Sequence, residues 1–183
     1  MKPFNTKERF SIPNLMGYFR LLLIPVFCYL CLAKEAYHWA AGVVLLSSLT
    51  DLFDGMIARK FNMFTNLGKA LDPIADKLTH GALALCLAFR YPQMWVLFGL
   101  MVLKEGYMVV MGLLFLRKGK MLNGAMWFGK VCTALLFVIL LILFAFPHLP
   151  IAVVNGLIVF MMAVMVFTLC MYVPIFNRMR KAE

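Results

Sequence analysis

The chain has 183 residues, of which 64% are hydrophobic and only 14% are charged, and it carries a formal net charge of +10. This composition is typical of an integral membrane protein and excludes an ordinary soluble domain, in which about a quarter of the residues are charged. The positive charge does not indicate nucleic-acid binding, because aromatic residues do not alternate with the basic clusters as a base-stacking surface requires.

Apolar stretches, each about 20 residues long and therefore long enough to cross a bilayer, follow one another with short polar breaks. A basic lead-in of residues 1–11 precedes them, and no small-residue cleavage site follows the first stretch, so a cleavable signal peptide is not expected. The sequence predicts an all-α membrane protein with one domain, residues 1–183, built as a six-helix bundle. The six predicted spans cover residues 15–33, 38–57, 71–90, 93–116, 125–146 and 150–176.

Basic residues concentrate on one side of this predicted bundle. Fifteen of the eighteen Lys and Arg residues lie in the N-terminal region, the second and fourth connections, the C-terminal tail or their flanking turns. Lys34 and Arg90 belong to the opposite side, and Lys104 lies inside a span. Because basic segments stay in the cytoplasm, this asymmetry predicts a multi-pass protein of the cytoplasmic membrane with both termini inside. The same basic connections favour contact with anionic membrane lipids.

Acidic residues are concentrated where the second predicted span ends and the third begins. The pattern there is D-x2-D-G-x2-A-R-x8-G-x3-D-x3-D. The spacings of three and four residues place each pair of carboxylates on one face of its helix. Two such faces brought together supply four carboxylates, a ligand set that suits hard divalent cations such as Mg2+ or Mn2+. The eight residues of the pattern are Asp51, Asp54, Gly55, Ala58, Arg59, Gly68, Asp72 and Asp76.

This pattern matches the full signature of the CDP-alcohol phosphatidyltransferase family, and the chain resembles that family on its account. These membrane enzymes transfer a phosphatidyl or related group from a CDP-linked lipid to an alcohol and release CMP. Residues 12–20 and 68–77 also resemble bacterial phosphatidylglycerophosphate synthases. Lys104 with Glu105 stands where that subfamily has Arg-Glu, and residues 129–133 only approximate its Gly-Lys-x-Lys-Thr element. These departures leave the acceptor alcohol open.

The resemblance implies a division of labour among the signature residues. Asp51, Asp54 and Asp72 would hold two divalent ions against the pyrophosphate of CDP-diacylglycerol, with Asp76 near the metals. Asp76 would also act as the general base that takes the proton of the acceptor hydroxyl. The residues expected on the CDP-lipid are Asn14, Gly55, Ala58, Arg59 and Gly68. The resemblance further implies a homodimer.

Glycerol 3-phosphate is the expected acceptor, and phosphatidylglycerol, the acceptor of cardiolipin synthases, is the alternative. Each candidate cation also has a second interpretation: Arg20 as a side chain that snorkels at a span end, and Lys104 as an ion pair with Glu105. Lys69 and Lys77 could serve only to set the topology, and Lys118 and Lys130 could be cytoplasmic anchors. A cation transporter would also use intramembrane carboxylates, but these cluster at one surface and no inverted repeat accompanies them. The candidate acceptor or phosphate contacts are Arg20, Lys69, Lys77, Lys104, Lys118 and Lys130.

The cysteines and histidines are not expected to form a site. Cys28 and Cys31 form a CxxC pair, but they lie in an apolar stretch, where they are predicted to pack as small hydrophobic residues. His38, His80 and His148 are spread over different spans, so a histidine metal cluster is not expected.

Overall fold

The computed structural model describes residues 12–60, 66–117 and 126–181 of the chain. Within these ranges the backbone forms six α-helices and no strand, which confirms the all-α prediction. The helix α3 begins five residues before the predicted third span, so Asp72 and Pro73 lie inside it rather than at its start. The helices are α1 (Ile12–Leu32), α2 (Tyr37–Lys60), α3 (Asn66–Arg90), α4 (Met94–Arg117), α5 (Trp127–Ala145) and α6 (Ile151–Lys181).

Four of the described helices contain a segment long and apolar enough to cross a membrane. The helices α2 and α3, which carry the signature, are not among those four. Large apolar side chains such as Leu22 (67% exposed) and Trp39 (76% exposed) lie on the surface, as expected of helices in contact with lipid. The chain is therefore an all-helical, multi-pass membrane protein. The four segments are Asn14–Leu32, Met94–Phe115, Trp127–Ala145 and Ile151–Asn177.

By its internal contacts the chain divides into two compact units, and the first comprises residues 1–86 with Phe144–Pro147. In this unit α1 packs along α2. It also approaches α3 at Gly17, where an added Cβ would lie 2.5 Å from Cδ2 of Leu71. Near their other ends, α1 and α3 meet through Cys28 and Cys86, whose sulfur atoms are 3.6 Å apart and form no disulfide. Cys28 and Cys86 therefore pack between helices, whereas Cys170 is exposed.

The second unit comprises residues 87–143 and 148–183. Its centre is a buried aromatic cluster formed by Phe115, Phe128, Tyr172 and Phe176. The rings of Phe128 and Tyr172 meet edge to face with their centroids 4.7 Å apart, a favourable geometry for aromatic pairs. An added Cβ at Gly129 would collide with the Tyr172 hydroxyl, so α5 and α6 approach closely at this glycine.

Candidate active site

The signature carboxylates whose side chains are described all belong to the first unit. Asp51 lies on α2, nine residues before that helix ends at Lys60, and Asp72 lies on α3, six residues after that helix begins at Asn66. Both positions are about two helical turns from the connection between the two helices. The chain order alone thus places Asp51 and Asp72 at similar heights on successive helices.

Arg20 of α1 joins these two carboxylates. Its Nη1 donates a hydrogen bond to Oδ1 of Asp51, and its Nη2 donates one to Oδ1 of Asp72 over 3.1 Å. The Arg20 side chain is only 4% exposed, whereas those of Asp51 and Asp72 are both 52% exposed. The guanidinium therefore lies on the inner side of the carboxylates. Charge-assisted bonds of this kind are the stronger class of hydrogen bond, and here they link three helices.

The position of Arg20 excludes one of its two interpretations, snorkelling, and leaves the other, contact with the acceptor, untested. A snorkelling side chain would carry its guanidinium out to the membrane surface, and the burial of Arg20 contradicts that alternative. Contact with the acceptor stays a prediction. The structure adds a role that the sequence did not indicate, which is the pairing of Arg20 with two residues of the signature.

His80 lies beside Asp76 and was not predicted as a site residue. Its Nδ1 is 3.7 Å from Oδ1 of Asp76, a distance that suits an electrostatic contact rather than a hydrogen bond. The His80 side chain is buried at 8% exposure, while that of Asp76 is 49% exposed. The signal was present in the sequence, because residues four apart on a helix are neighbours. The prediction from the sequence concerned only a cluster of the three histidines and therefore did not include this pair.

The carboxylates form one electrostatic cluster. Asp51 interacts with Asp76 and His80 as well as with Arg20, and Asp72 interacts with both Asp51 and Arg20. Negative charges held together in this way need cations to balance them. The cluster therefore attracts positive ligands to its exposed side.

The donor set fits a hard divalent cation. Asp51 and Asp72 already converge on one positively charged group, and they and Asp76 are each about half exposed. Carboxylate oxygens are the ligands that Mg2+ and Mn2+ prefer. Among the described side chains, no three potential ligands lie close enough together to hold an ion. The side chain of Asp54, the fourth carboxylate, lies outside the described part of the chain.

Several further predicted site residues also lie outside the described side chains, namely Gly55, Ala58, Arg59 and Lys69, while Lys118 lies outside the described residues altogether. The backbone at positions 54–59 belongs to the last turns of α2, and that at position 69 belongs to the second turn of α3. Gly68 is half-buried one turn before Asp72. Asn14 is buried in the first turn of α1.

The remaining candidate cations have different surroundings. Lys77 is exposed and follows Asp76 directly on α3. Lys104 is buried on α4, and its Nζ donates to Oε1 of Glu105 over 2.8 Å. The predicted ion pair is therefore present, and contact between Lys104 and the acceptor stays a prediction. Lys130 is exposed on α5.

Comparison with known proteins gives relatives with two kinds of name. A protein from Aquifex aeolicus named CDP-diacylglycerol--glycerol-3-phosphate 3-phosphatidyltransferase is 36% identical over 124 residues, which cover 67% of this chain and 69% of that protein. A protein of the same name from Rickettsia typhi is 42% identical over 79 residues, which cover 42% of this chain and 44% of that protein.

A fusion protein from Schizosaccharomyces pombe, named cardiolipin synthase (CMP-forming) / mitochondrial hydrolase, is 43% identical over 81 residues, or 44% of this chain and 13% of the fusion protein. In the Rickettsia typhi and Schizosaccharomyces pombe relatives the matched stretch spans less than half of the protein's length. The family model for CDP-alcohol phosphatidyltransferase, in contrast, matches residues 10–173 and so includes the whole signature and all six helices in part or in full. The chain belongs to the CDP-alcohol phosphatidyltransferase family.

Proposed function

We propose that the protein transfers a phosphatidyl group from CDP-diacylglycerol to glycerol 3-phosphate and releases CMP in phospholipid biosynthesis. The observation that carries this proposal is the cluster of signature carboxylates, in which Asp51 and Asp72 converge on one cationic group. The family supplies the reaction class. The Aquifex aeolicus relative, which matches about two thirds of both chains, supplies the acceptor in its name.

The chain's own residues would divide the work as follows. Asp51, Asp54 and Asp72 would hold Mg2+ or Mn2+, two ions in all, with Asp76 beside them. When bound, the ions polarise the phosphoryl oxygens and neutralise the charge that develops on CMP. Gly55 and Gly68 would let the backbone approach the nucleotide, because they have no side chain. The Arg59 guanidinium would donate to phosphate oxygens, while Ala58 and Asn14 complete the CDP-lipid side of the site.

Asp76 would accept the proton of the acceptor hydroxyl. The hydroxyl oxygen then forms a bond to the phosphorus that carries the diacylglycerol, and the bond between that phosphorus and the CMP oxygen breaks. Asp76 is suited to this task because its side chain is half exposed and thus accessible to an acceptor, while His80 contacts it from the buried side. Neighbouring carboxylates raise the proton affinity of a carboxylate, whereas bound cations lower it, so the two together set its strength as a base.

Cations near the base favour a phosphorylated acceptor. Lys77 is exposed directly after Asp76, and Lys69 lies about one turn before Asp72 on the same helix. Either ammonium group would attract the phosphate of glycerol 3-phosphate. The alternative is phosphatidylglycerol, which would make the protein a cardiolipin synthase. The Schizosaccharomyces pombe relative favours this alternative by its name, although the match covers only 13% of that protein.

An acceptor panel tests the proposal. The purified full chain receives CDP-diacylglycerol, Mg2+ or Mn2+ and one acceptor at a time: glycerol 3-phosphate, phosphatidylglycerol, serine or inositol phosphate. CMP release and the lipid product are measured, with Asp72→Asn and a chelator as controls. We expect phosphatidylglycerol phosphate from glycerol 3-phosphate. Cardiolipin from phosphatidylglycerol alone would replace the acceptor, and no CMP release with any acceptor would overturn the enzymatic function.

For the membrane arrangement we propose six spans, with both termini and the active site on the cytoplasmic side. The distribution of Lys and Arg supports it. A cysteine introduced at Lys118, in a chain whose five native cysteines are replaced, should not react with an impermeant thiol reagent from outside. A cysteine at Lys34 is the matched control and should react. Labelling of Lys118→Cys from outside would contradict this topology.

We also propose that the protein is a homodimer, as the family resemblance implies. Its test is the mass of the purified protein in detergent, measured by light scattering with the detergent contribution subtracted. A monomeric mass for the active protein would contradict the proposal.

A further inference from the structure

We propose that Arg20 is a built-in counter-cation, which holds Asp51 and Asp72 together from the buried side so that metal ions can bind between them from the exposed side. Arg20 is thus a positioning residue for the carboxylate site. This inference rests on the metal site of the proposed function but does not depend on the acceptor.

The first step is the geometry. Asp51 and Asp72 belong to different helices and lie 31 and 52 residues from Arg20 in the chain, yet each accepts a hydrogen bond from a different nitrogen of the same guanidinium. The planar fork of arginine presents its donors at fixed angles. The positions of the two Oδ1 atoms relative to each other are therefore set by one rigid group on a third helix.

The second step is the charge balance. A guanidinium stays charged even when it is buried, and one positive charge balances only part of the negative charge of the signature carboxylates. Without Arg20, Asp51 and Asp72 would repel each other across the space they share. With Arg20 they stay close and keep a net negative charge, and that combination attracts divalent cations.

The third step is that Asp51 and Asp72 each have a buried side and an exposed side. Arg20 contacts Oδ1 of both Asp51 and Asp72 from the inside of the protein, while half of each side chain is exposed. A carboxylate accepts through both of its oxygens. The buried guanidinium and an ion on the exposed side can therefore be bound at the same time, and Arg20 need not leave when metal arrives.

The fourth step is the scaffold that holds Arg20. Gly17 lies one turn before Arg20 on α1, and it is the point where α1 touches Leu71, the residue before Asp72. This contact places α1 directly against a side chain of α3 one turn before Arg20. The guanidinium therefore reaches Asp72 from a turn of α1 that packs on α3, which favours a preorganised site.

The inference predicts that Arg20 matters most when the site holds no metal. In Arg20→Gln the two carboxylates lose their shared cation, and only bound metal can then balance them. We expect the midpoint of thermal unfolding to fall by at least about 5 °C in chelator. The deficit should shrink to less than about half of that value in saturating Mg2+. A residue that only fills space would produce the same deficit in both conditions.

The experiment measures thermal unfolding of the purified full chain in detergent, with chelator and with Mg2+. Lys104→Gln is the matched control, because it also removes a buried cation from an ion pair, in the second unit. Its deficit should be equal in the two conditions. Arg20→Lys keeps the charge but loses the fork, so its deficit should be intermediate. Arg20→Gln combined with Asp51→Asn and Asp72→Asn should be less destabilised than Arg20→Gln alone.

The outcomes separate this inference from the proposed function. If Mg2+ stabilises the wild type and not Asp72→Asn, but the Arg20→Gln deficit is the same with and without Mg2+, Arg20 is only structural and the metal site stands. If Mg2+ stabilises no form of the protein, both proposals are overturned. If Arg20→Gln does not fold, Arg20→Lys decides, and a deficit for Arg20→Lys that is equal in chelator and in Mg2+ would overturn the inference.

Discussion

Two buried cations, one in each unit, are paired in opposite ways. Arg20 in the first unit contacts carboxylates on two other helices, whereas Lys104 in the second unit contacts its neighbour in the chain, Glu105. Both side chains are less than a tenth exposed. The Lys104–Glu105 pair brings opposite charges together within one helix, α4. The partial charge balance that Arg20 gives to Asp51 and Asp72 requires three helices to come together.

This difference shows that a buried charge has different structural consequences in the two regions. A buried ion pair contributes little net stability, because desolvation offsets the attraction, but removal of one partner is strongly destabilising. For Lys104 and Glu105 this penalty arises from two adjacent residues of one helix. Loss of Arg20 or of one of its partners would instead destabilise the packing of α1, α2 and α3. It would therefore also displace the carboxylates that would bind metal. Substitutions in the two regions should accordingly have different effects on turnover and on folding.

The largest effect is expected for the proposed metal ligands. Asp51→Asn, Asp54→Asn and Asp72→Asn keep the shape of the side chain and remove the charge that binds the cation. We expect turnover to fall by about 100-fold or more, as follows from the loss of several kcal/mol of charge stabilisation, while the protein still folds. CMP release at limiting Mg2+ and the unfolding temperature are the measurements. Activity near that of the wild type would remove the substituted residue from the ligand set.

Asp76→Asn should act on the chemical step alone. The base is needed only when the acceptor hydroxyl loses its proton, so kcat should fall by about 100-fold to 10,000-fold. Binding of CDP-diacylglycerol and Mg2+ should stay close to that of the wild type, as measured by equilibrium binding. Loss of CDP-lipid binding with an unchanged kcat would show that Asp76 is not the base.

His80→Gln should have a smaller effect on the same step. The imidazole lies 3.7 Å from the Asp76 carboxylate on its buried side, where it restricts the orientation of that carboxylate. We expect kcat to fall by about tenfold, as is found for outer-shell partners of site residues, with KM for the acceptor unchanged. His80→Asn, which is shorter, should be worse than His80→Gln. Equal activity of both variants and the wild type would exclude a positioning role.

The sequence predicted the parts of this picture that depend on neighbours in the chain. Apolar stretches of bilayer length predicted the six helices, the signature spacing predicted carboxylates on shared faces, and the Lys104–Glu105 pair was anticipated from adjacency. The contact of Asp76 with His80 was also within reach, because helical periodicity brings residues four apart together. All of these follow from local geometry.

The pairing of Arg20 could not be predicted in the same way. Its partners are 31 and 52 residues distant, so the contact depends on how α1 packs against two other helices. An arginine in an apolar helix is compatible with snorkelling, substrate contact or an ion pair. Only the tertiary structure shows that Arg20 is buried and which carboxylates it contacts, because both depend on how the helices pack.

Substitution of Lys104 tests the local pair. Lys104→Gln leaves Glu105 without this cation, which should lower the free energy of unfolding by about 1–3 kcal/mol. Lys104→Gln with Glu105→Gln should recover part of the loss, because both charges are then gone. If Lys104 serves only this ion pair, KM for glycerol 3-phosphate should not change in either variant. A rise in that KM without a change in KM for CDP-diacylglycerol would instead assign Lys104 to the acceptor.

The smallest effects are expected from adding one methyl group at the closest helix contacts of the two units. Gly129→Ala would press against the hydroxyl of Tyr172, which belongs to a ring packed edge to face on Phe128 and has little freedom to move. Overpacking of this kind costs about 1–3 kcal/mol, partly offset by about 1 kcal/mol of helix propensity gained over glycine. We expect a lower unfolding temperature and nearly unchanged kcat.

For Gly17→Ala we expect the opposite result, with a larger effect on kcat than on the unfolding temperature. The added methyl meets Cδ2 of Leu71 at 2.5 Å, and the end of a leucine side chain can rotate away, so the loss of stability should be smaller than for Gly129→Ala. Any displacement of Leu71, however, acts on Asp72 next to it and on the bond from Arg20. We therefore expect kcat to fall several-fold, because small misplacements in a preorganised site reduce the rate, while the unfolding temperature changes little. Equal ratios of kcat loss to stability loss in the two variants would contradict the distinction between the contact at Gly17, which lies beside the carboxylate site, and the contact at Gly129, which serves packing.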